Sequence, residues 1–172
     1  SPMNKFKTKF VAILILAAIV VVPNGFIAPA SAQTSVPKIQ FEKYTLPNGL
    51  QVILHVDKKL PVVHVNQWFH VGSANERLGR SGFAHLFEHL MFGGSENVEA
   101  FDQTVVDLGG SDNNGTTDFD RTNYFETVPT GSLDRMLFVE ADRMGRLLGA
   151  ISQNKLDTQR GVVQNEKRQR DN

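Results

Sequence analysis

The chain has 172 residues, 18 basic and 18 acidic side chains, and no cysteine. That length suits one domain with a real core rather than two large ones, and zero net charge leaves no basic footprint for nucleic acid. Without cysteine there can be no disulfide, thiolate ligand, thiol nucleophile or lipid-modified cysteine, so any metal must be held by His, Asp or Glu.

In chain order, Ser1 and Pro2 read as a scar ahead of Met3, and Lys5, Lys7 and Lys9 follow with no acid among them. The apolar run Phe10 to Val22 is 13 residues long, short for a membrane span. Ala30-Ser31-Ala32 then supplies a small-residue cleavage site, so residues 1–32 are expected to be a scar plus a cleaved secretory signal rather than an uncleaved anchor. Its removal takes away three lysines and leaves 15 basic and 18 acidic residues, net −3. Export to a bacterial periplasm or the exterior is the expectation. Residues 33–40 read as a linker, with the folded domain over 41–172.

Within that domain Phe41 to Tyr44 and Gln51 to Asp57 are expected strands, joined by a turn on Asn48-Gly49. Val52, Leu54 and Val56 share one face of the second strand. Val62 to Val71 alternates, with Val63, Val65, Phe69 and Val71 on the core side. The Gly- and Ser-rich loop 72–82 precedes an expected helix over Phe83 to Phe92, and another follows over Val98 to Leu108. Residues 111–129 read as a polar turn that becomes one strand. Ser132 to Leu148 is amphipathic, with Leu133, Met136, Leu137, Glu140, Met144 and Leu147 along one side. Lys155 to Arg170 has a helical pattern weakened by Gly161. The pattern predicts an α+β fold, a mostly antiparallel sheet with helices packed on one face.

The stretch FAHLFEHLMFGG, Phe83 to Gly94, places His85, Glu88 and His89 in an apolar run. On a helix His85 and His89 are i and i+4, so they share a face about a turn apart, with Glu88 beside them. Two imidazoles so placed can bind one Zn²⁺, and the carboxylate can take a proton from water on the metal. Two buried, hydrogen-bonded histidines with a stray carboxylate would read the same way, so the metal reading needs a third ligand. Taken alone, Glu166 in the run EKRQRD reads as a solvated charge, so the residues by themselves leave that ligand open. Asp112 to Asp120 invites a calcium loop, but Gly115 as sixth position would put Gly110 first and Arg121 twelfth, and neither is a ligand. His55, His64 and His70 fall on strands and read as ordinary polar-face histidines.

H-x-x-E-H is the inverted zincin motif. With the downstream Val163 to Glu166, it resembles the pitrilysin/insulinase/mitochondrial processing peptidase family of zinc metallopeptidases. LPNGLQVIL, Val71 to Glu76, Thr122 to Pro129 and the segment around Asp142 resemble the same family, so the likeness covers nearly all of residues 38–170. The resemblance implies a zinc endopeptidase acting on peptides or small unfolded proteins. His85, His89 and Glu166 would hold one zinc with water in the fourth position. Glu88 would be the general base that activates the water and passes the proton to the leaving amine. Asn113, Asn114 and Gly115 would bind substrate at an edge strand by β-augmentation, Gly115 giving the peptide backbone room, although a plain turn fits those residues as well.

Two departures stand out. Some members carry a glutamate seven residues before the ligand glutamate, where this chain has Gln159, which can hydrogen-bond a ligand histidine but brings no charge. The family also builds its active site from two homologous halves, on one chain or two, and the expectation here is an N-terminal part, incomplete at its C-terminus. The alternative is therefore a non-catalytic or substrate-binding subunit or fragment that needs a second half for activity.

Overall fold

The structure is a computed structural model that describes residues 38–170. The expected signal over 1–32, and the linker as far as residue 37, lie outside the described residues.

Two strands come first, β1 (Glu42–Thr45) and β2 (Gln51–Leu54). They pair antiparallel across the Asn48-Gly49 turn, where Leu50 N–H donates to Asn48 Oδ1 at 3.1 Å. This hairpin is a two-stranded sheet of its own. The expected core face of β2 is not covered among the described residues, for Leu54 and Val56 are both exposed.

The main sheet has the order β3-β5-β4, antiparallel throughout. Its strands are β3 (Val62–Phe69), β4 (Ser111–Thr117) and β5 (Thr122–Pro129). In place of the polar turn and single strand expected over 111–129, the chain forms a hairpin. Ser111-Asp112-Asn113-Asn114 has no apolar alternation to mark a strand. Its pairing comes from β5 across the ladder, with a register shift between Ser111 and Asn114 where Asp112 takes a positive φ of 54°. The inward residues of β3, Val63, Val65 and Phe69, sit opposite Val128, Glu126 and Thr122 of β5. One shared face thus points at the helices, as the alternation predicts.

The helices are α1 (Phe83–Leu90), α2 (Phe101–Asp107), α3 (Leu133–Ala150) and α4 (Gln153–Arg170). Val98, Phe101, Val105, Val128, Met136 and Val139 form the central core between α2, α3 and β5. Met91, Tyr124 and Leu147 form a second cluster under α1. The buried face of α3 runs through Met136, Val139, Glu140, Arg143 and Leu147, while Leu137 and Met144 are exposed. It is turned from the expected stripe because Arg143, paired with the buried Glu140, occupies a core position that an apolar count skips.

Candidate metal centre

The apolar side of α1, with Ala84, Leu90 and the following Met91, goes inward and leaves His85 and His89 on the side that meets α4. Their Nε2 atoms lie 3.1 Å apart. Glu166 of α4 reaches over so that its Oε2 is 3.2 Å from His85 Nε2 and 3.6 Å from His89 Nε2. Donors held ~2.1 Å from one zinc at tetrahedral angles sit ~3.4 Å from one another, so this triangle has the size of a zinc-ligand face. Two imidazoles and a carboxylate are also donor types that zinc accepts. Glu88, buried, has an oxygen within 4.8 Å of the histidine donors, which places it beside the triangle.

α1 is only 8 residues long, too short to be stable alone, and other segments clamp it. Its N-cap is Gly82, at φ 102°, which has no side chain to accept from the first turn. Glu76 does this instead, its two oxygens accepting from Gly82 N–H and Ala84 N–H, each at 2.7 Å. A carboxylate there also meets the positive end of the helix dipole. The loop carrying Glu76 is tied to the β4–β5 turn, with Ser73 N–H donating to Asp118 O at 3.1 Å and Ala74 N–H to Phe119 O at 2.7 Å. Past the C-terminal end of α1, Lys155 Nζ of α4 donates to Gly93 O at 2.8 Å. That bond links α1 to the helix bearing Glu166.

Strand β4 touches the same helix from below. A Cβ on Gly115 would lie 2.9 Å from the Phe92 ring and 3.2 Å from Glu88 Cγ. Thr117, two residues on, donates its hydroxyl to Glu88 Oε2. The glycine is therefore required by helix-on-strand packing. Its bare side faces α1. Asn113 Nδ2 donates to Asp102 Oδ1 of α2 at 2.6 Å, and Asn114 Oδ1 accepts from Gly115 N–H at 2.9 Å. All three residues lie in the edge strand itself and not in a turn. Gln159 is half-buried on α4 and lines a cavity of about 240 Å³ with Leu90, Gly93 and Lys155.

Behind α1 lies a charged group that the sequence reading missed. Arg143 is buried, its guanidinium 4.0 Å from the centre of the Phe101 ring and 4.7 Å from that of Tyr124. It donates to both Glu140 oxygens, at 2.7 and 2.6 Å. Gln67 donates to Glu140 as well. Glu126 of β5 is buried nearby, against the Glu140 carboxyl. Burial first, and the charge of Glu140 second, push its carboxyl up to about 8. The signal in the sequence was Glu126 at an inward position between Tyr124 and Val128. On α3, Asp142 accepts from Ser95 Oγ at 2.5 Å and from Asn97 Nδ2 at 2.7 Å, fixing the turn after α1. These bonds, Ser95's first, hold its carboxyl below the usual range.

Residues 51–172 match the model of the insulinase family, peptidase family M16. The chain belongs to the insulinase family of peptidases. Among curated relatives, zinc protease PqqE of Helicobacter pylori is 37% identical over 171 residues, which is 98% of this chain and 36% of that protein. The probable zinc protease PqqL of Escherichia coli is 30% identical over 164 residues, 90% of this chain and 17% of that one. The crystal structure of a protease from Helicobacter pylori superposes with a TM-score of 0.71 at 38% identity, over 77% of this chain and 32% of the other. This insulinase-family chain thus spans about a third or less of the length of these relatives, and zinc proteases recur among them.

Proposed function

We propose that this domain carries the metal centre of a zinc-dependent endopeptidase, with His85, His89 and Glu166 holding one zinc per chain and Glu88 as general base. The observation behind this reading is the donor triangle with sides of 3.1, 3.2 and 3.6 Å. Zinc, when bound, supplies positive charge that polarises a scissile carbonyl and makes water more acidic. Glu88 accepts a proton from the attacking water at its carboxylate and returns it to the leaving nitrogen. The free edge of β4, over Asn113 to Gly115, takes an extended peptide as an added strand, which suits unfolded substrates. Gln159, two turns before Glu166 on α4, would steady a ligand histidine by a hydrogen bond in the metal-bound site. Because the chain spans 36% of the Helicobacter relative, a second homologous half, in the same chain or a partner, completes the cleft.

Metal analysis of the folded chain tests the site. One zinc per chain is expected, lost in His85→Ala and in His89→Ala, and a folded wild type that takes up no zinc would sink the assignment. Glu88→Gln in the full-length protein should keep its zinc and lose turnover by at least about 100-fold. Unchanged turnover removes Glu88 as the base.

A further inference from the structure

The edge strand proposed to receive substrate is also the strand that grips the proposed base. Thr117 and Gly115 share the face of β4 that looks at α1. Gly115 lies against Glu88 Cγ, so closely that a Cβ would be 3.2 Å away. The Thr117 hydroxyl donates to Glu88 Oε2. Thr117 is itself placed from across the ladder, where it pairs with Thr122. Thr122 Oγ1 donates to Val71 O at 2.8 Å and lies 3.4 Å from Thr117 Oγ1. A carboxylate has a broad, nearly free final torsion. Here one oxygen is held and the stem is packed, so the plane of the Glu88 carboxylate is set by β4.

We propose that Thr117 is a positioning residue for Glu88, fixing the carboxylate in the orientation that takes a proton from water, and that the edge strand thereby couples substrate docking to the alignment of the base. This rests on the reading of Glu88 as base. No proton passes through Thr117. Its hydroxyl hydrogen stays on Oγ1 and only directs the Glu88 oxygen it touches. A base displaced by about 1 Å loses roughly 100-fold in rate, so a single hydroxyl at this place has leverage.

The test uses the full-length protein. Thr117→Val keeps the shape and removes the donor, and Thr117→Ser keeps the donor. The expected result for Val is a kcat lower by roughly 10- to 100-fold with unchanged KM and zinc content, and for Ser a return to within about threefold of wild type. In a Glu88→Gln background Thr117→Val should add no further loss, because both changes remove one function. A crystal structure of the Thr117→Val protein should show the Glu88 carboxylate turned from its wild-type orientation. Four outcomes overturn the proposal: near-wild-type kcat in Val, a loss seen in KM or zinc content instead, a Ser variant no better than Val, or an unmoved Glu88 carboxylate. If Glu88→Gln itself turns over normally, the reading of Glu88 as base fails. The crystallographic orientation then still decides whether Thr117 positions it.

Discussion

Glu126 occupies an inward position of β5 with 1% of its surface exposed and the Glu140 carboxyl beside it. An ionised carboxylate there costs several kcal/mol unless it binds a proton. Its pKa in the fold is about 8, against an ordinary value of 4.5. Between those values the native state binds more protons than the unfolded chain, so stability falls as pH rises. The contribution is whole below about pH 4.5 and is lost as pH rises through 8. Thermal melts should therefore show a wild type that loses stability from pH 5 to pH 9. Glu126→Gln should melt with a flatter pH dependence and gain about 1 kcal/mol or more at pH 9, since each pKa unit is worth about 1.4 kcal/mol. Parallel curves for the two proteins would contradict this. Arg143 is the converse case, because Arg143→Met strands Glu140 in the core and should cost roughly 3–5 kcal/mol by denaturant unfolding. A loss below 1 kcal/mol would show that Glu140 finds other compensation.

At the scale of elements, the metal helix depends on what holds its ends. Glu76 satisfies two N–H groups of a helix whose N-cap is glycine. Glu76→Ala should loosen the first turn, where His85 sits, at a cost of about 1–2 kcal/mol in unfolding. It should also weaken zinc affinity several-fold in a chelator competition; wild-type affinity in that variant would mean α4 alone orders the histidines. This clamp marks how far the sequence could be read. The H-x-x-E-H spacing and the apolar residues around it made α1 and its outward histidines legible, because helix periodicity is local. Glu166 was legible only through its likeness to a family pattern, since 77 residues of chain separate it from His89. Strand β4 was hidden, for Ser, Asp and Asn carry no strand pattern and the pairing that makes them one comes from β5. The turned face of α3 was hidden for a related reason. Whether Arg143 goes inward depends on Glu140 and three aromatic rings, from the turn after α1, from α2 and from β5, and no periodicity within α3 reports them.

For the whole molecule, the groove between α1, α3 and the ends of β3 and β5 has a volume of about 300 Å³ and is lined by Phe69, Phe87, Tyr124, Met144 and Leu148 among others. Of these, Phe87, Met144 and Leu148 are 47%, 44% and 73% exposed. Apolar side chains this exposed around one groove suit contact with another protein surface. Together with a length that is 36% of the Helicobacter relative, this leads to a prediction about division of labour. The donor triangle is contained in α1 and α4, so residues 38–172 produced alone should bind zinc. Peptide alignment needs a cleft wall opposite β4, and among the described residues no strand pairs with that free edge. The domain alone should therefore leave a fluorogenic peptide uncut while holding its zinc, and the full-length protein should cleave it. Mixing the domain with the separately produced remainder should restore turnover in proportion to complex formed, and a Leu148→Asp change in the groove should weaken that restoration without releasing zinc. Turnover by the isolated domain would place the whole catalytic apparatus within these residues. Restoration indifferent to Leu148→Asp would move the contact with the remainder away from the groove.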